Sequence, residues 1–383
     1  MKRKYQQCSI GLVDTNDDPQ IRFDEQGRSH YYHDYIAAQN VKVGSPEQRA
    51  ERLSQLVADV KTAGKGRQYD CVIGVSGGVD STYVALLAKE LGLRPLAVHL
   101  DNGWNSELAV QNITNIVNRL DIDLFTNVLD WEQFRDLQLA YLKASVIDIE
   151  VISDHAIFAT MHRVAGQRGI PYILSGTNCV TEQTLPLHWI HSKSDHVNII
   201  DIHRNFGTRP LGDYPLMNWK VKKWYKVSPG LRYESILNLV PFEKAAVKDR
   251  IIDELDWRDY GGKHYESIFT RFYQGHILPT KFGVDKRKAH LSDLIYGGQI
   301  SKKEALAELE KPIYDPEQMR IDREFVLKKL GLSDSEFDDI MNLPVRRHDD
   351  FEIERPLLES YPLLKPLTRP IGVARSLLWG RAG

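Results

Sequence analysis

Three cysteines in 383 residues, Cys8, Cys71 and Cys179, are too few and too far apart for a disulfide framework. An odd, sparse count of this kind fits a reducing compartment. Long hydrophobic runs are missing as well. No stretch of about 18 apolar residues occurs, so no membrane-spanning helix is expected. The opening "MKRKYQQCSIGLVDTNDD" lacks the apolar region of a secretory signal. A cytoplasmic protein is therefore expected. Neither sign of charge is in excess: 50 Lys and Arg face 52 Asp and Glu, for a net charge of −2. That balance gives no global case for nucleic-acid binding. Internal repeats and low-complexity tracts are absent too.

What is present reads as an ordinary globular chain, 42% hydrophobic and 27% charged, and long enough for two or three domains. Residues 1–65 are polar and turn-rich, then helical from Pro46 to Ala63. Residues 66–230 alternate apolar runs with helical spacing, starting at Cys71–Val75. "RPLAVHL", "DLFTNVL" and "IPYILSG" are the further strands. This alternation predicts an α/β fold with a doubly wound parallel sheet, its strands covered on both faces. Past about Leu231 the strand signal fades, and residues 231–383 are expected to be mostly helical. The tail "LLKPLTRPIGVARSLLWGRAG" mixes apolar and basic residues and is expected to pack on its own protein rather than on an anionic surface.

The first strand stops at "SGGVDS", Ser76 to Ser81, and a helical pattern follows at once. A helix N-terminus at the carboxyl end of a parallel strand favours an anion. Gly77 and Gly78 let the backbone approach a phosphate, and Ser76 and Ser81 add hydroxyls. The stretch is neither G-x-x-x-x-G-K-[ST] nor G-x-G-x-x-G. It resembles the SGGxDS signature of the PP-loop ATP pyrophosphatases, which share the adenine nucleotide alpha hydrolase-like fold. The resemblance implies that Ser76, Gly77, Gly78, Asp80 and Ser81 hold the pyrophosphate of ATP, with Asp80 binding Mg²⁺. It places adenine against the second strand near Val98, and Asp101 near the ribose or a metal. "LSGTN" supplies a second nucleotide loop at Gly176, Thr177 and Asn178.

Within that superfamily the C-terminal half discriminates. "GGKHYESIFTRFYQGHILPTKFGVDKRKAHLSDLIYGGQISKKEALAELEKPIYD", Gly261 to Asp315, resembles the bacterial N-acetyl sugar amidotransferases of surface-polysaccharide and nonulosonic-acid synthesis. Departing pyrophosphate needs cations. Lys263, His264, Arg271, Lys281, Lys286 and Arg287 are the candidates, with Lys281 and Lys286 leading. A solvated basic face is the competing reading of the same residues. His155 reads as a core or surface histidine.

Members of that family carry two C-x-x-C pairs that read as a zinc site. Here the first pair is Cys8-Ser9-Ile10-Gly11 and the second Ser29-His30-Tyr31-Tyr32, so no zinc is expected. The resemblance implies adenylylation of a sugar N-acetyl group and displacement of AMP by ammonia. Amidation of a sugar carboxylate would need the same apparatus. None of the cysteines has a glutaminase context, and a persulfide role for Cys179 has no helper motif. Ammonia is thus expected from separate glutaminase subunits, with a homo-oligomer left open. The competing readings are tRNA thiolation, opposed by charge and cysteine spacing, and a nucleotide-binding scaffold, opposed by the intact loop.

Overall fold

The computed structural model describes residues 3–227, 230–262 and 265–355. Lys263, His264 and the C-terminal tail lie outside the described residues. After helices α1 (His30–Ala38) and α2 (Pro46–Ala63) the chain alternates β1 (Cys71–Gly74), α3 (Val79–Glu90), β2 (Pro95–Asp101), α4 (Glu107–Leu120), β3 (Leu124–Val128), α5 (Trp131–Ala144), α6 (Val151–Gln167) and β4 (Tyr172–Ser175). Two helices, α7 (His196–Phe206) and α8 (Trp219–Val227), separate β4 from β5 (Arg232–Ser235). The remainder is helical: α9 (Lys244–Leu255), α10 (Ile268–Phe272), α11 (Arg287–Tyr296), α12 (Lys302–Glu310), α13 (Pro316–Leu330) and α14 (Asp334–Asn342). None of the described helices is long and apolar enough to cross a membrane.

The sheet is parallel, in the order β3-β2-β1-β4-β5. The chain winds outward from β1 to β3, then restarts on the other side of β1. The loops after β1 and β4 therefore diverge, and a crevice opens between them at the carboxyl edge. On one face Val84, Leu87, Ile113 and Ile116 of α3 and α4 pack with Val247 and Ile251 of α9. On the other, Met161 and Val164 of α6 cover Val72, Leu96 and Ile173. Central strands are apolar because both faces are covered.

The edges depart from the expected pattern. Leu124 and Val128 on β3 are exposed on one face. At the other edge β5, "RYES", lies beyond residue 231, where no strand was expected, because an edge strand can be polar. The core also ignores that boundary. Trp104, Phe134, Tyr141 and Trp189 share one cluster with Phe269, Phe272, Tyr273, Val326 and Phe337.

The N-terminal unit packs on α11. Lys288 reaches Asp14 and Asp17 at 3.0 and 2.8 Å. The Tyr296 hydroxyl lies 3.7 Å from Cys8 Sγ and 3.4 Å from Ser29 Oγ. A Cβ on Gly11 would collide with that hydroxyl. Tyr296 thus stands among Cys8, Gly11 and Ser29, positions that belong to the two degenerate pairs. Burial alone would push the Cys8 thiol up, but donors from Ser29, Gly11 and Tyr296 hold it below its ordinary value.

Candidate active site

Where β1 ends, Val75 makes the last sheet hydrogen bond, from its N–H to Val98 O at 3.0 Å. The chain then turns sharply. Gly77 has φ +80°, and a Cβ there would lie 2.7 Å from Ala109 O. Only glycine fits both the conformation and the space. The Gly77 carbonyl faces away and accepts from Trp257 Nε1 at 2.8 Å. Gly78 opens α3 without a side-chain cap. Ser76 Oγ accepts from Gly78 N–H at 3.2 Å, and Ser81 Oγ accepts from Ser76 N–H at 3.3 Å. The two hydroxyl oxygens are 3.2 Å apart. The loop is therefore pinched by its own serines at the positive end of a helix.

The loop after β2 is fixed by a relay. Asn105 Nδ2 donates to His99 Nε2 at 3.0 Å and to Asp101 Oδ1 at 3.3 Å. His99 therefore carries its proton on Nδ1 and gives it to Val75 O at 2.8 Å. Asp101 Oδ1 also accepts from Gly103 N–H at 2.8 Å. After β4, Thr177 N–H donates to Ser175 Oγ at 3.1 Å, and the Thr177 hydroxyl lies 2.8 Å from Ser235 Oγ. Asn178 Oδ1 caps Val180 and Thr181. Gly176 abuts Asp80: a Cβ on it would be 3.3 Å from Asp80 Cβ. The Ser76–Ser81 turn and the Gly176–Asn178 loop therefore meet where Gly176 abuts Asp80 at the start of α3.

Val98 does not join them. Its side chain is buried against α6, and its carbonyl is taken by Val75.

The C-terminal cations are corrected most. Arg271 grips buried Asp322 through two bonds of 2.6 and 2.8 Å. Lys281 donates to the carbonyls of Ile340, Met341 and Leu343 at 2.8 to 2.9 Å, closing the end of α14. Arg287 pairs with Asp285 and caps α12 through Glu308 O and Lys311 O. Helix ends leave carbonyls unsatisfied, and these cations supply the donors. Only Lys286 of the four turns toward a cleft acid, Glu150, at 3.3 Å. His155 is a core histidine: Nδ1 donates to Lys193 O, Nε2 accepts from Met217 N–H, and burial pushes it down to about 4. Cys179 is buried, its thiol on Asn238 Oδ1 and pushed up by burial.

Sequence reasoning missed the segment that covers the loop. Asn112 holds Arg258 through both backbone groups at 2.9 Å. Measured from a Cβ built on Gly78, Tyr260 Oη lies at 3.2 Å and Glu266 Oε1 at 3.3 Å. Burial and the charges of Glu266 and Asp80 push the Tyr260 phenol well up, so it stays neutral. Glu266 O accepts from Ser106 N–H, and Ile268 N–H donates to Trp104 O, both at 2.9 Å. No local motif announces these residues; they converge only through the fold.

Comparison with known proteins divides along the same line. Residues 50–135 match the NAD synthase family, and residues 266–365 match the C-terminal domain of LPS biosynthesis protein WbpG-like proteins. The chain is 31% identical over 106 residues to tRNA(Ile)-lysidine synthase of Thermus thermophilus, covering 27% of this chain and 20% of that one. It is 35% identical over 75 residues to the glutamine-hydrolyzing GMP synthase of Pyrobaculum aerophilum, covering 19% and 14%. The chain therefore spans a fifth or less of the length of these curated relatives. Among solved structures, NMN synthetase from Francisella tularensis aligns at 16% identity and a TM-score of 0.37, over 76% of this chain and 97% of that one. One chain thus carries two partial likenesses, to NAD synthase over residues 50–135 and to the C-terminal domain of WbpG-like LPS biosynthesis proteins over residues 266–365.

Proposed function

We propose that the chain is an ATP-dependent, AMP- and pyrophosphate-forming amidotransferase acting on the N-acetyl group of a nucleotide-linked sugar. The observation that carries this is the Ser76–Ser81 cradle at the sheet's switch point, in one chain with a WbpG-like domain. The acetamido oxygen attacks the α-phosphorus and pyrophosphate leaves. Ammonia then adds to the activated carbon, and AMP departs with the original oxygen, leaving an acetamidino group. The protein positions the reactants and stabilises charge. Asp80 and Glu266 supply carboxylate oxygens suited to Mg²⁺, which would neutralise charge on the departing pyrophosphate. Cys8, Cys71 and Cys179 are all buried, so ammonia comes from a separate glutaminase partner in this reading. Ammonium chloride replaces that partner in the test. Pyrophosphate release is measured with ATP, Mg²⁺ and UDP- or CMP-linked N-acetyl sugars carrying ¹⁸O in the acetyl group. Sugar-dependent pyrophosphate with ¹⁸O in AMP is expected. Release of ADP and phosphate would sink the proposal.

A further inference from the structure

A recess beside the phosphate crevice is lined by groups that neither motif announces. Glu150, Asp154 and Phe158 recur every fourth residue, so they share one face of α6 and the turn before it. Phe158 packs on Tyr233 of β5 with ring centroids 5.7 Å apart. Lys193 binds buried Asp148 at 2.8 Å and Asp154 at 3.1 Å. Lys286 and Gln274 hold Glu150 at 3.3 and 3.0 Å. Asp154 is 46% exposed, and Tyr233 is 39% exposed, yet protein surrounds both, so they look into a recess rather than off a convex surface. Burial and the charges of Glu150 and Asp148 push the Asp154 carboxyl up.

The recess adjoins the nucleotide loops. The Tyr233 hydroxyl donates to Ser175 Oγ at 2.8 Å, in the loop whose Gly176 abuts Asp80. Asn102, beyond β2, donates to Ser153 Oγ at 3.2 Å. Charge decides what fits. Asp148, Glu150 and Asp154 face Lys193 and Lys286, so both ammonium groups are already balanced and a phosphate gains little. Fixed carboxylate acceptors beside an ammonium donor suit neutral hydroxyls. An exposed aromatic face suits the C–H side of a ring.

We propose that this recess seats the sugar ring of the acceptor. Asp154 and Lys193 hold ring hydroxyls, Tyr233 packs on the ring, and the acceptor's phosphates lie elsewhere. The assignment rests on the sugar-modifying reading given above. The test uses the full chain and its Asp154→Asn, Tyr233→Ala and Tyr233→Phe variants, with ammonium chloride as nitrogen donor. Asp154→Asn and Tyr233→Ala should each raise the acceptor KM about tenfold or more, with the ATP KM unchanged. Tyr233→Phe keeps the ring and should bring the acceptor KM back toward wild type. An unchanged acceptor KM in both of the first two variants overturns the assignment. So does an equal rise in the ATP KM, which would make Asp154 a support of the nucleotide loops. If wild type releases no sugar-dependent pyrophosphate, the amidotransferase reading fails by itself. Saturation-transfer NMR with UDP-N-acetylglucosamine then decides the recess. Saturation of the ring protons that disappears in Asp154→Asn supports it. Absent or unaltered saturation overturns it.

Discussion

The loop after β1 and the basic run from Arg271 to Arg287 both gather polar groups of the kind a phosphate meets, and they spend them in opposite ways. In the loop, Ser76 and Ser81 bond each other and their own backbone within six residues. Those short-range bonds shape a helix N-terminus and leave its dipole for an anion. In the basic run every cation reaches far along the chain or to a neighbouring acid: Arg271 to Asp322, Lys281 to the end of α14, Arg287 to the end of α12. Its charges assemble the helical side of the molecule. A motif that is satisfied locally keeps its function when read alone. A set of cations does not, because its partners are chosen by the fold.

The largest test of that contrast is Arg271→Leu. It leaves Asp322, 3% exposed, without its bidentate partner. Breaking one side of a buried pair costs about 3–5 kcal/mol. Urea unfolding should show that loss, while ATP binding to the folded fraction stays near wild type. A loss of ATP affinity without a loss of stability would return Arg271 to the active site. Next is Ser81→Ala, which removes one side of the pinch. Pyrophosphate release should fall about 100-fold, on the scale of one lost transition-state donor, with the Tm nearly unchanged. Full activity in this variant would break the comparison from the other side.

Lys281→Met sharpens it further. Three carbonyls lose one charged donor, and the expected cost is about 2 kcal/mol of stability. The ATP KM should not move. Acid provides an independent handle on groups that the fold has buried. His155 and His162 are held down to about 4 and His348 to about 3, chiefly by burial. The unfolded chain takes up those protons near pH 6.5. Stability is therefore fully present above about pH 6.5 and is lost as pH falls toward 4. His155→Gln should reduce that slope by up to about 1.4 kcal/mol per pH unit, measured by urea midpoints at pH 7 and pH 5.

The same physics explains what could be read in advance. The parallel sheet was legible because β1, β2 and β4 are covered on both faces and so are apolar runs. β5 was not, since Arg232 and Glu234 sit on an edge strand that needs no apolar face. The cradle was legible because Gly77 and the two serines act within one turn. Tyr260 and Glu266 were not, since the connection between α9 and α10 reaches the loop only through the fold, and Asp154 and Tyr233 come together from α6 and β5. Lys281 and Arg287 misled for the same reason: nothing near them in sequence shows that two helix ends are waiting for donors.

Tyr296 carries the smallest effect and extends the contrast to the N-terminal unit. Its hydroxyl stands among Cys8, Ser29 and the space a Gly11 side chain would need. This cluster, like the basic run, depends on a partner far away in sequence. Tyr296→Phe keeps the ring packing against Tyr32 and Tyr35 but removes that shared hydroxyl. One such hydrogen bond contributes about 1 kcal/mol, so the urea midpoint should fall slightly and pyrophosphate release should persist. Chelation with EDTA, followed by removal of the chelator, should leave the wild-type Tm where it was. A drop of several degrees on chelation would mean that a metal, rather than the Tyr296 hydroxyl, organises the fold around Cys8. The N-terminal unit would then stand with the phosphate loop, as a site whose polar groups are held for a ligand.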